Sequence, residues 1–117
     1  MLADKDRVPS VRALAADMAL REDFDLDRIE DVRLAVEEAC ATMVANAGDG
    51  AELVCRVSVS PSTVEITASV PLSDGRKPTV GPFSLRVLRT LSDSVDFWTS
   101  HSGDRQYFHV QLTTSVS

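Results

Sequence analysis

The sequence predicts an α+β two-layer sandwich, a mostly antiparallel four-stranded sheet with three helices on one face. Three observations predict it. Apolar residues recur at helical spacing in three segments, two clean runs of period-2 alternation follow one another, and a second pair of strand-like runs closes the chain around a short turn. The order reads α-α-β-β-α-β-β over a single domain, 1–117, long enough for one core and too short for two.

The first helix is predicted from Pro9 and Ser10 to about Arg21, with Val11, Leu14 and Met18 on its apolar side. The segment "EDFDLDRIED" interrupts that pattern. Asp25 or Asp27 then caps a second helix, and Asp27 followed by Glu30 fits a capping box. Ile29, Val32, Val36, Ala39, Cys40 and Met43 form its apolar stripe, and "GDG" at 48–50 is expected to end it.

Leu53, Cys55, Val57 and Val59 alternate with Val54, Arg56, Ser58 and Ser60. After "PST", Val64, Ile66, Ala68 and Val70 alternate with Glu65, Thr67 and Ser69. This is an antiparallel hairpin buried on one side. Residues 71–82, "PLSDGRKPTVGP", have no periodicity and read as a loop of the length that is often functional. A third helix, "FSLRVLRTLSD", presents Phe83, Val87, Leu88 and Leu91. Strands over 94–100 and 106–114 flank "HSGDR", with Val95 and Phe97 expected to face Phe108, Val110 and Leu112.

Composition narrows the function classes. No apolar run approaches the roughly 20 residues needed to span a bilayer, and "MLADKDRVPS" lacks the apolar centre of a signal peptide, so the cytoplasm is expected. Residues 22–38 hold eight acids against Arg28 and Arg33, which accounts for the whole net charge of −6. A basic stripe for phosphates is missing, so nucleic acid is not an expected partner. The acidic run suits either a solvated helix start or a face for a basic protein partner.

Cys40 and Cys55, the two cysteines, fall at core-facing positions. Counting alone allows a disulfide; their burial favours two free thiols. His101 and His109 lie far from both, which argues against structural zinc. No Ser–His or Cys–His pair has positional support. Trp98, Tyr107 and Phe108, without basic neighbours, suit a sheet core and rim better than a stacking platform.

The chemistry-bearing candidate is on the second helix, "DVRLAVEEACATMVANA". Glu37 and Arg33, four apart, point toward solvent, while Glu38 borders the apolar stripe. Thr42 and Asn46 follow Glu38 at one-turn intervals on the same edge. Such a row of carboxylate, hydroxyl and amide either coordinates a metal–phosphate group or forms a solvated shoulder.

That helix phrase resembles the serine-kinase type of bacterial anti-sigma factor, within the histidine-kinase-like ATPase (GHKL) superfamily and its Bergerat fold. The pattern D-x-x-L-A-V-x-E-A is met at Asp31, Leu34, Ala35, Val36, Glu38 and Ala39. The later pattern R-x-L-x-D-x-V-D is met at Arg89, Leu91, Asp93, Val95 and Asp96. The resemblance spans roughly residues 8–114. It implies a partner-switching regulator of transcription that sequesters a sigma factor, phosphorylates an anti-anti-sigma protein on serine, and in many cases dimerises. It further implies that Glu38 stands at the catalytic or water-activating glutamate, Thr42 at the magnesium-binding asparagine, and Asn46 at the histidine that follows.

Several positions depart from the family pattern. Thr42 replaces the metal-binding amide. Val70 falls where an aspartate reads adenine, leaving Asp74 and Gly75 a few residues late, after the stiffening Pro71. The lid shortens to "RKPTVGPFS", in which Gly81 is the one remaining phosphate-loop glycine, Pro82 removes an amide, and Arg76 and Lys77 supply charge. The strand expected before the first helix is missing or reduced. With three recognition elements altered, affinity for ATP and Mg2+ is expected to be weak or lost. The expected function is therefore an anti-sigma factor acting by contact, with an active serine kinase and a module for an unrelated ligand as alternatives.

Overall fold

A computed structural model describes residues 13, 15, 25–48, 50–73 and 76–115. The elements are α1 (Leu26–Asn46), β1 (Val54–Ser60), β2 (Thr63–Pro71), α2 (Pro82–Leu91), β3 (Ser94–Ser102) and β4 (Arg105–Ser115). Most of the first predicted helix lies outside the described residues. Of it, Ala13 and Ala15 are helical, and Ala15 is fully buried in the core. The second and third predicted helices are α1 and α2.

The strands form one antiparallel sheet in the order β1-β2-β4-β3. Each hairpin of the sequence is present, and the hairpins join through β2 and β4. Helix α1 lies over both of those central strands, whereas α2 packs against α1 and the edge strand β3. Accordingly β2 and β4 alternate buried with half-buried residues, whereas the edge strands β1 and β3 are nowhere fully buried. Val64, Ile66, Ala68, Phe108, Val110 and Leu112 meet Val32, Val36, Ala39, Cys40 and Met43 of α1 in one continuous core. Phe97 stacks on Phe108 with ring centroids 5.7 Å apart.

Of the two candidate caps, Asp25 starts α1: its Oδ1 accepts the Arg28 N–H at 2.8 Å. Asp27 is left in the first turn, where its charge suits the helix dipole. At the other end the helix stops before the glycines. Ala47 turns extended and bridges Leu72, and Gly48 N–H donates to the Pro71 carbonyl at 3.3 Å. A strand-like pairing, rather than a left-handed glycine cap, terminates α1.

The closing turn is shorter than the predicted "HSGDR" loop. Pairing runs on to Ser102 and Arg105, leaving Gly103–Asp104 as a two-residue turn with Gly103 at φ 63°. A Cβ there would meet nothing within 4 Å, so backbone strain is its whole cost. Gly103→Ala is expected to destabilise the chain by about 1–2 kcal/mol, read as a lower urea midpoint at unchanged m-value.

The third predicted helix ends at Leu91, two residues early, because Asp93 has other partners. Asp93 Oδ2 accepts the Ser115 N–H at 2.6 Å, and both its carboxylate oxygens take Arg28 Nη2 at 3.3 Å. The same Arg28 nitrogen donates to the Ser115 carbonyl. This clasp joins the start of α1, the turn after α2 and the end of β4. Asp93, part of a phrase that carries the anti-sigma resemblance, thus has a structural role.

Candidate functional site

The row Glu38, Thr42, Asn46 descends into the protein along α1. Glu38 is half-buried, Thr42 is 8% exposed and Asn46 is 1% exposed. Three side chains at one-turn spacing thus meet three different environments.

Glu38 lies on the wall of a groove of about 590 Å³ between α1 and α2. Leu34, Glu37 and Ala41 line it from α1, and Arg86, Val87 and Leu91 from α2. Its lining is mainly apolar, with carboxylates on one side and a guanidinium on the other. Leu34, 42% exposed, leaves an apolar side chain at its rim. Arg33 pairs with Glu30 at 3.4 Å, one turn before it.

Asn46 is held by three hydrogen bonds. Its Nδ2 donates to the Thr42 carbonyl at 2.8 Å and to the Thr79 carbonyl at 2.9 Å, while Oδ1 accepts the Thr79 N–H at 2.8 Å. The amide thus reads Thr79 as a neighbouring strand would, through a donor and an acceptor together. Arg76 adds a bond from Nη2 to the Ala45 carbonyl at 2.7 Å, meeting the negative end of the α1 dipole. Asn46 and Arg76 fasten the 76–81 segment onto the last turn of α1. The amide at 46 and the cation at 76, both candidates for phosphate contact, are spent on the chain itself.

Gly81 is the N-cap residue of α2, exposed, extended at φ −63°, and without a side-chain cap bond. Pro82 occupies the first turn, where the lost N–H has no helical acceptor. Lys77 is exposed. Asp74 and Gly75 lie outside the described residues. The structure therefore brings Thr42, Asn46 and Thr79 together, places Glu38 in the interhelical groove, and leaves Gly81 at a helix start.

Two groupings escaped the sequence. On the open face of the sheet, His109 hydrogen-bonds Ser69 Oγ through Nδ1 at 2.6 Å and Ser100 Oγ through Nε2 at 2.6 Å, one ring nitrogen donating and the other accepting in the neutral imidazole. Trp98 stacks on its ring at 5.1 Å, and this group borders a hollow of about 390 Å³ with Arg56 and Tyr107. The expectation of no Ser–His pair is thereby corrected. Strand register sets Ser69 directly across from His109, and side-chain reach brings in Ser100 from β3. With both ring nitrogens engaged by serines, the imidazole joins β2, β3 and β4.

Burial holds His109 below the usual value of about 6.5. Between the two values the unfolded chain carries a proton that the folded chain does not, so this contribution is complete above about pH 6.5 and declines as pH falls through that window. His109→Gln is expected to flatten the fall of the urea midpoint between about pH 7 and 5, measured against wild type.

The second grouping is Cys40 with Cys55, both free thiols. Cys40 is buried as expected; Cys55, on an edge strand, is half-buried. The two thiols are neighbours against one core, and their interaction, together with burial, pushes the Cys40 thiol far up, while the same neighbour lowers Cys55 against the opposing effect of burial.

Two comparisons bear on the site. The profile of the histidine kinase-like ATPase domain matches residues 1–108. The chain is also 33% identical over 93 residues to anti-sigma-F factor RsbW of Mycobacterium tuberculosis, in strains CDC 1551 / Oshkosh and ATCC 25618 / H37Rv. That alignment takes in 80% of this chain and 54% of each relative, so the chain spans about half the length of the curated relatives it matches.

Proposed function

This chain belongs to the histidine kinase-like ATPase domain family, and from that premise we propose that it is an anti-sigma factor working by protein contact. It sequesters a sigma factor in the cytoplasm, is displaced by an anti-anti-sigma protein, and has a nucleotide site too altered for efficient phosphoryl transfer. Among the described residues no helix is long and apolar enough to cross a membrane. Similarity to two anti-sigma-F factors supports the class of partner. A homodimer is compatible with this reading, and the acidic face of α1 offers charge for a steered encounter with a basic partner.

One observation carries the altered-site reading: the Asn46 amide has its donor and acceptor engaged by Thr79. A magnesium–triphosphate group needs oxygen ligands and free amides converging on it. Thr42 is buried, Asn46 has both donors and its oxygen engaged within the chain, and Pro82 lacks an N–H, so this arrangement does not fit that group. Opening it would break the two Asn46–Thr79 hydrogen bonds before any phosphate contact formed.

The second reading, a serine kinase, is favoured by one feature, the retention of Glu38 on the groove wall. There its carboxylate would accept the proton of a partner's serine hydroxyl. The test combines copurification with calorimetry. A sigma factor should be recovered with the tagged chain and retained by Glu38→Ala, while Mg-ATP gives no saturable heat up to about 1 mM. Phosphate transfer to a partner's serine, abolished in Glu38→Ala, would replace this proposal with the kinase. Recovery of neither sigma factor nor antagonist would remove both.

A further inference from the structure

Cys40 and Cys55 take no part in the proposed function, yet both belong to one packed core. Cys40 is on the buried side of α1, 1% exposed; Cys55 lies across from buried Ala68, hence on the helix-facing side of β1, and packs against the core cluster that contains Cys40, its neighbouring thiol. Their access differs. Strand β1 pairs only with β2, so it ends the sheet, and Cys55 is half-buried at that margin. Cys40, by contrast, is enclosed by core residues.

We propose that this pair is a site of reversible thiol oxidation, in which Cys55 reacts with a low-molecular-weight disulfide and Cys40 resolves the product to a Cys40–Cys55 bond. In the first step the Cys55 sulfur, having released its proton to solvent, attacks one sulfur of the disulfide RSSR. That S–S bond breaks, and one RS− leaves and is protonated. In the second step Cys40 releases its proton and attacks the Cys55 sulfur of the mixed disulfide, expelling the second RS−, which is protonated in turn. The two protein thiols together lose two electrons, and RSSR is reduced to two RSH.

The edge position matters to the second step. A disulfide needs its two Cα atoms closer than about 7 Å. A strand bonded on one side only can shift toward the helix at smaller cost than a central one. The bond would tie the helix that carries Glu38 and Thr42, each two residues from Cys40, to the margin of the sheet. Oxidation state would then bear on the shape of the interhelical groove.

The experiment uses the full folded chain titrated with oxidised glutathione, quenched in acid, alkylated and weighed, with peptide mapping of each cysteine. Both thiols should disappear together, with the mass of two hydrogens lost and no glutathione retained, and dithiothreitol should restore both. Cys40→Ser should trap glutathione on Cys55, and Cys55→Ser should leave Cys40 unmodified while folded. A glutathione adduct persisting on wild-type Cys55 overturns the proposal, as does alkylation of Cys40 ahead of Cys55. So do thiols that react only in urea. If the serine variants do not fold, the wild-type mapping and alkylation order decide it alone.

Discussion

Asn46→Ala is expected to lower the unfolding free energy by about 2–3 kcal/mol and to open the 76–81 segment to proteases. Three hydrogen bonds disappear with the amide, one of them within α1 and two to Thr79. Thr79 itself is exposed, so water can satisfy its freed backbone groups, which keeps the loss below that of a fully enclosed network. The remaining cost comes from the void left by a side chain that is 1% exposed and from the loss of the fastening. Asn46→Asp should be worse, because it keeps the acceptor, loses both donors and buries a charge. Urea melts and limited proteolysis check this. Wild-type stability in Asn46→Ala, with the segment still protected, would mean that the amide does not hold it.

The same residue marks where sequence reading stops. Period-2 alternation over 53–59 and 64–70 disclosed two strands and their buried side, since parity along a strand is fixed by geometry. Helical spacing disclosed the stripe of α1 for the same kind of reason. Spacing placed Glu38, Thr42 and Asn46 on one edge, yet it could not show that Asn46 is covered, because the cover is Thr79, from a segment without any period. Asp93 was read as the end of a helix, while its partners Arg28 and Ser115 lie 65 and 22 residues away. His109 with Ser69 likewise depends on the pairing of β2 with β4, which no local pattern encodes. What was legible is repeated along the chain; what was missed joins a single residue to a distant one.

The resemblance behaves in the same divided way. Of the residues that carry it, Val36 and Ala39 fill the core and Asp93 clasps three elements together, so they are required by the fold itself. Glu38 is the one polar member of the helix phrase that faces a groove. Shared core and clasp residues explain why the domain family can be recognised even where the positions expected to meet a nucleotide have changed. Fold membership and retained phosphoryl transfer are separate claims, and the second depends on the groove alone.

Leu88→Ala should have the largest effect on that groove. Helix α2 has ten residues, short of the length at which an isolated helix is stable, and it begins at Gly81 without a side-chain cap bond. Leu88 is its one fully buried residue. Phe83, expected on the apolar side, lies five residues earlier, about 140° around the helix, and stands 76% exposed. Truncation at Leu88 is therefore expected to cost about 3–5 kcal/mol, toward the upper end for a buried leucine, because Leu91, the other α2 side chain packed on the core, is only partly buried. Phe83→Ala should stay within about 0.5 kcal/mol of wild type. As α2 loosens, Arg86 and Val87 leave the groove wall facing Glu38, and chymotrypsin should cut first beside Phe83. If the sigma-factor contact uses this groove, Leu88→Ala weakens partner binding under conditions where the sheet still gives native strand signals. If the contact lies on the acidic side of α1 instead, binding survives the loss of α2, and charge reversal at Asp31 and Glu30 becomes the decisive substitution. A Leu88→Ala cost below about 1 kcal/mol would mean that α2 is held by contacts other than this one side chain.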